Sequence, residues 1–89
     1  MAEYSITFSR AARKELESLP AMIVERIFKK IEALAALPRP QGVIQLEGEE
    51  NLYRIRVGDY RVIYTISDKS KTIDIIHIRH RSEAYRSLN

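Results

Sequence analysis

Hydrophobic residues along this chain change their period several times, and each change marks an element. Tyr4, Ile6 and Phe8 alternate with Ser5 and Thr7, which predicts a first strand over Tyr4 to Phe8. Ser9 is a helix-capping residue type, and beyond it Ala12, Leu16 and Leu19 fall on one helical face. Pro20 ends that helix and suits the first turn of a second. There Ile23, Ile27, Ile31 and Leu34 recur at spacings of four, four and three, until Pro38 and Pro40 stop the pattern. The two segments predict a helical hairpin with one apolar stripe on each helix, and those stripes must cover something.

A sheet is what they cover. Val43 to Leu46 predicts a strand, followed by a turn at Gly48 to Asn51. Leu52 to Val57 and Tyr60 to Ile66 predict two strands joined by Gly58-Asp59, a two-residue hairpin signal. Thr72 to Arg79 is an isoleucine-rich last strand, and Ser82 caps a short terminal helix over Glu83 to Leu88. The order β-α-α-β-β-β-α predicts an α+β fold: a helix hairpin on one face of a mostly antiparallel sheet, with a short C-terminal helix. With neither repeat nor linker, residues 1–89 are expected to form one domain, near the size at which a lone core is just sufficient.

Composition narrows the function classes. A hydrophobic share of 45% with 30% charged residues is that of a folded globular protein. Without cysteine there is no disulfide or thiolate metal site to supplement the core. Uncharged runs such as Ala33 to Pro38, none longer than seven residues, are far too short to span a bilayer, and the N-terminal residues lack the basic start and apolar core of a secretory signal. A cytoplasmic address without membrane attachment is the expectation. Net charge is only +3 but unevenly spread. Residues 1–50 carry seven Lys/Arg against eight Asp/Glu, and residues 51–89 carry eight against four. A basic half on a near-neutral chain fits either a polyanion binder or a solvated face.

The hairpin can be read to the level of faces. A two-residue loop at Gly58-Asp59 pairs Val57 with Tyr60, Arg56 with Arg61, and Arg54 with Ile63. Alternation then puts Tyr53, Ile55, Val57, Tyr60, Val62 and Tyr64 on the side that meets the helices, and Arg54, Arg56 and Arg61 on the other. Directly opposed arginines cost a few tenths to about 1 kcal/mol. Folding does not require that arrangement, but a phosphate held between them would. A second cluster, Arg79-His80-Arg81, follows, with Tyr85 one helical turn later. Parity cannot decide the face of Arg79, because Ile73, Ile75, Ile76 and Ile78 make both sides of the last strand apolar. If Arg79 joins Arg61, the result is an arginine-lined surface suited to RNA, with Tyr85 either stacking on a base or packing the terminal helix. His77 reads as a satisfied core or edge residue. A metal site at His77 and His80 lacks the spacing and the carboxylates such a site needs, so no metal or other cofactor is expected.

At these residues the sequence resembles a known family. Leu52-Tyr53-Arg54-Ile55-Arg56-Val57-Gly58-Asp59-Tyr60-Arg61-Val62-Ile63-Tyr64 is similar to the central hairpin of the RelE/ParE toxin superfamily. Ile78-Arg79-His80-Arg81-Ser82-Glu83-Ala84-Tyr85 looks like the C-terminal segment of its RelE branch. The resemblance implies a RelE-like fold and the toxin of a toxin–antitoxin pair: a metal-independent, ribosome-dependent endoribonuclease that cuts mRNA in the A site. In such enzymes the RNA 2′-hydroxyl attacks the adjacent phosphate. By the same resemblance, Arg61 and Arg79 hold and neutralise that phosphate, Arg81 supports them, and Tyr85 stacks on or orients the nucleotide. Arg54 and Arg56 bind RNA where some relatives carry lysines, one of them with a proton-transfer role. Arginine stays protonated and is a poor base. His80 is therefore the candidate for that role, unless electrostatics and orientation suffice without a base. The implied partners are a cognate RelB-like antitoxin and the ribosome with its mRNA. Two rivals share the fold, a ParE-like gyrase inhibitor and a catalytically silent RNA-binding module.

The opposed pair Arg56 and Arg61 yields a first expectation. Arg61→Ala removes a like-charge contact, so thermal melting should be almost unchanged, while RNA cleavage should fall by a factor of roughly a hundred or more.

Overall fold

The protein is described by a computed structural model covering residues 3–46 and 51–82. Seven elements are described, one at each predicted segment before the terminal helix, so that four strands follow the helix pair where the order β-α-α-β-β-β-α counts three. They are β1 (Ser5–Phe8), α1 (Arg10–Glu17), α2 (Ala21–Ala36), β2 (Ile44–Gln45), β3 (Leu52–Val57), β4 (Tyr60–Ser67) and β5 (Thr72–His80). The expected turn after β2 and the terminal helix over Glu83 to Leu88 lie outside the described residues, apart from Asn51. The strand expected over Val43 to Leu46 is shorter than predicted, two exposed residues at a sheet edge.

The sheet order is β1-β5-β4-β3-β2. Three neighbouring pairs are antiparallel and one, β1 with β5, is parallel. The helix pair leaves from one edge strand and delivers the chain to the other, so it crosses one face of the sheet. The predicted stripes make the contact. Ala12 and Leu16 of α1 and Ile27, Ile31 and Leu34 of α2 are buried against Tyr53, Ile55, Val57, Val62, Tyr64, Ile66, Ile73, Ile75 and Ile78. Gly58 takes a positive φ of 61° and Asp59 does not. That is the two-residue turn in which glycine leads, so the hairpin has the expected register.

Two local devices hold the ends of this arrangement. Ser9 caps α1 by accepting from the Ala12 N–H at 3.0 Å, and its own hydroxyl donates to the Ile76 carbonyl at 2.6 Å. A cap of this kind contributes about 1 kcal/mol. At the end of the sheet away from Gly58, Arg39 reaches Asp68 with two nitrogens, at 3.3 and 3.0 Å. Its Nε donates to the Tyr53 hydroxyl at 3.2 Å, and the Tyr4 hydroxyl donates to Asp68 at 2.6 Å. The Tyr64 hydroxyl donates to the Pro38 carbonyl, which ties the same connection to the core. No helix among the described residues is long and apolar enough to cross a membrane.

The Arg39 guanidinium, followed by the Tyr4 hydroxyl, holds the Asp68 carboxyl below the usual carboxylate range. A depressed carboxyl stabilises the fold above its unfolded pKa, and the contribution disappears as pH falls through the folded value. Asp68→Asn should therefore melt below the wild type at pH 7, and the gap should close on acidification. Melting curves of both proteins from neutral to acidic pH check this; a constant gap would contradict it.

Candidate nucleic-acid interface and active site

The register of β3 and β4 aligns Arg56 with Arg61, Ile55 with Val62 and Arg54 with Ile63, as the hairpin reading predicts. On the other side of β4, Arg61 stands opposite Arg79 of β5. Arg56, Arg61 and Arg79 thus form one cross-strand row over three strands, on the face turned away from the helices. Arg54, Ile63 and His77 form the next row on that face. Directly opposed like charges work against the fold.

A bulge in β5 decides the face of Arg79. Pairing runs Tyr64 to Ile75 and then Ile63 to His77, so Ile76 is an extra residue without a counterpart on β4. The extra residue reverses the alternation. Ile73 and Ile75 face the core before it and Ile78 faces the core after it, although their parities differ. Arg79 consequently shares the face of Arg61.

Contacts of Arg56 and Arg79 with described residues offset part of the crowding of charge. Arg56 donates from Nε to the Gly58 carbonyl at 3.0 Å. Glu15 of α1 accepts from Arg79 Nε at 2.9 Å with one carboxylate oxygen, and from the Ile78 N–H at 2.8 Å with the other. Arg79 Nη2 also lies 3.2 Å from His77 Nδ1. Glu15 is there because β1 is shorter than β5. Their ladder ends at Phe8 with Ile75, and the exposed edge beyond it needs acceptors. The sequence reading does not single out Glu15, and His77, read there as a satisfied core or edge residue, has Glu15 and Arg79 as neighbours. The length mismatch between first and last strands was the legible signal for an edge partner, but which helical residue supplies it depends on packing.

The remaining candidates are placed as follows. His80 pairs with Tyr60 and meets its ring edge-on at 5.3 Å. Two residues beyond Ile78, it belongs to the helix side of the sheet. The bulge therefore separates His80 from the arginine row, against the expectation that it lies beside the phosphate. It likewise puts His77 and His80 on opposite faces. Among the described residues no cluster of His, Asp and Glu suits a metal ion. Arg81 is exposed just past β5, its N–H donating to the Asp59 carbonyl at 2.7 Å. Arg54 is half-buried and Arg56 exposed. Tyr85 lies outside the described residues.

A family model for the ParE toxin of the type II toxin–antitoxin system parDE matches residues 6–85. The chain belongs to the RelE/ParE superfamily of type II toxins. Within this superfamily it is 36% identical to the toxin RelE of Mycobacterium tuberculosis, over 93% of this chain and 87% of that protein. It is 27% identical to a putative toxin RelE1 of Methanocaldococcus jannaschii, over 96% of this chain and 98% of that one. Among solved structures, the RelE–RelB complex of Pyrococcus horikoshii contains a chain 37% identical to this one. The two superpose with a TM-score of 0.79 over 89% of this chain and 96% of that chain, so the fold is RelE-like.

One expectation needs correction. Arg61 is only 8% exposed, far more buried than a charge on an open sheet face. Truncating it therefore removes buried methylenes as well as a repulsion, at about 0.8 kcal/mol per CH₂. Arg61→Ala should destabilise the fold by about 1–2 kcal/mol, and Arg56→Ala, at an exposed position, by less than about 0.5 kcal/mol. Urea unfolding of the two variants checks the difference; equal midpoints would show that the stem of Arg61 contributes nothing.

Proposed function

We propose that this RelE/ParE toxin is a ribosome-dependent mRNA endonuclease. The observation that carries the reading is the row Arg56, Arg61 and Arg79, brought onto one face by the hairpin register and the bulge. Arg61 and Arg79 flank the scissile phosphate and neutralise charge as it builds on the non-bridging oxygens. Glu15 and His77 occupy the Nε–Nη2 edge of Arg79, which orients the guanidinium and leaves its Nη1 edge to a phosphate oxygen. Arg54 and Arg56 hold the neighbouring backbone, Arg81 supports Arg79, and Tyr85 stacks on the nucleotide. The 2′-hydroxyl oxygen attacks phosphorus, the bond to the 5′-oxygen breaks, and a cyclic phosphate and a free 5′-hydroxyl result. Cations alone do not bring the 2′-oxygen into line with the leaving group, so the ribosome supplies that order and confines cutting to the A site. Translating ribosomes place the activity in the cytoplasm.

The partner is a RelB-like antitoxin, as in the solved RelE–RelB complex of P. horikoshii. The basic face offers it charge. The groove between the helices, lined by Phe8, Leu16, Val24 and Phe28 and flanked by Arg13 and Glu17, offers it apolar surface. A segment that folds on binding can cover both.

The match to a ParE family model supports a second reading, inhibition of DNA gyrase without RNA cleavage. One experiment separates the two. Primer extension on an mRNA in a cell-free translation reaction should show new 5′ ends within A-site codons, while the same RNA without ribosomes stays largely intact. Gyrase supercoiling should continue at its normal rate. Cutting of free RNA at a matched rate, or gyrase inhibition without new RNA ends, would defeat the proposal.

A further inference from the structure

The row of arginines lacks a group able to take a proton, and the structure places one beside it. His77 stands opposite Ile63, two residues before Arg79 on the same face and diagonal to Arg61. About a third of its side chain is exposed, so the ring is reachable from that face. Its Nδ1 lies 3.5 Å from Glu15 Oε2 and 3.2 Å from Arg79 Nη2. The Glu15 carboxylate is itself fixed by the Ile78 N–H and by Arg79 Nε. The charged groups next to the ring are Glu15 from α1 and Arg79 on β5, with Arg61 diagonal on β4 and Arg54 two strands away in the same cross-strand row.

We propose that His77 accepts the proton of the RNA 2′-hydroxyl, with Glu15 as its positioning residue; this rests on the endonuclease reading above. Nδ1 has two neighbours: in one tautomer it accepts from Arg79 Nη2, and in the other it donates to Glu15 and leaves the lone pair of Nε2 on the opposite side of the ring; the second tautomer is the one that takes the proton. Imidazole is the side chain whose ordinary titration falls near neutral pH, whereas the arginines of this face stay protonated. As the 2′-oxygen bonds to phosphorus, its proton passes to Nε2 and Glu15 compensates the charge the ring gains. The bond to the 5′-oxygen breaks, that oxygen takes a proton from water, and the ring then returns its own proton to solvent. His80 cannot exchange roles with His77, because the bulge turns it to the other face against Tyr60.

The test is single-turnover cleavage of mRNA on programmed ribosomes across the neutral pH range, with thermal melting to confirm that each variant is folded. Wild-type cleavage should quicken with rising pH and then level off. His77→Ala should cut about a hundred-fold more slowly, lose that rise, and recover in part when free imidazole is added. Glu15→Gln keeps an acceptor for the Ile78 N–H but not the charge; it should cut about ten-fold more slowly and keep a pH-dependent rise. A His77→Ala protein that cuts at the wild-type rate with the wild-type profile overturns the role of His77 and leaves the endonuclease reading standing. So does a profile flattened by His80→Gln instead. If His77→Ala does not fold, Glu15→Gln decides, and an unchanged rate and profile there overturns the proposal. A wild-type protein that cuts no ribosome-bound mRNA overturns both readings together.

Discussion

The single extra residue in β5 is the constraint on which the rest of the site depends. A strand alternates its faces strictly, so one unpaired residue moves every later side chain to the other side. Before Ile76 the phase is set by Ile73 and Ile75 against the helices; after it, the same requirement is met by Ile78. Were Ile76 paired with Ile63 in regular alternation, Arg79 would stand opposite Tyr60 on the helix side and His80 would fall on the face of Arg61. The bulge is held from outside the strand. The Ser9 N–H donates to the Ile75 carbonyl and the Ser9 hydroxyl to that of Ile76, and the same hydroxyl caps α1. One residue at the end of β1 therefore starts the helix, anchors the bulge and indirectly chooses which cations face the substrate.

The cost of that choice is a concentration of positive charge, and its compensation is local. Opposed arginines across two strand pairs disfavour the fold by a few tenths to about 1 kcal/mol each. Glu15 answers one of them while also filling the edge that β1 leaves uncovered, so one carboxylate serves both electrostatics and backbone satisfaction. At the far end of the sheet, the Arg39–Asp68 pair and the Tyr4 and Tyr53 hydroxyls hold the connection after α2 and the turn after β4. The two polar clusters are at opposite ends of β4. The stabilising pair is thus separate from the charges used for binding, and exposed pairs of this kind contribute modestly by themselves.

The sequence by itself determined much of the architecture, because local chemistry determines it. Hydrophobic period, Ser9 as a cap, prolines between and after the helices, and Gly58 in a two-residue turn each act within a few residues. The register of β3 with β4 followed from the loop length alone, so the opposition of Arg56 and Arg61 was legible before any coordinate. Four things were decided only in three dimensions. The face of Arg79 depended on a bulge that isoleucines of both parities conceal. The separation of His80 from the arginines followed from the same residue. Glu15 reached the site through the meeting of a helix with a strand edge 63 residues later in the chain. The burial of Arg61 depended on packing that no alternation pattern reports. In each case the missing information was a contact between residues far apart in sequence, which a pattern of neighbours does not encode.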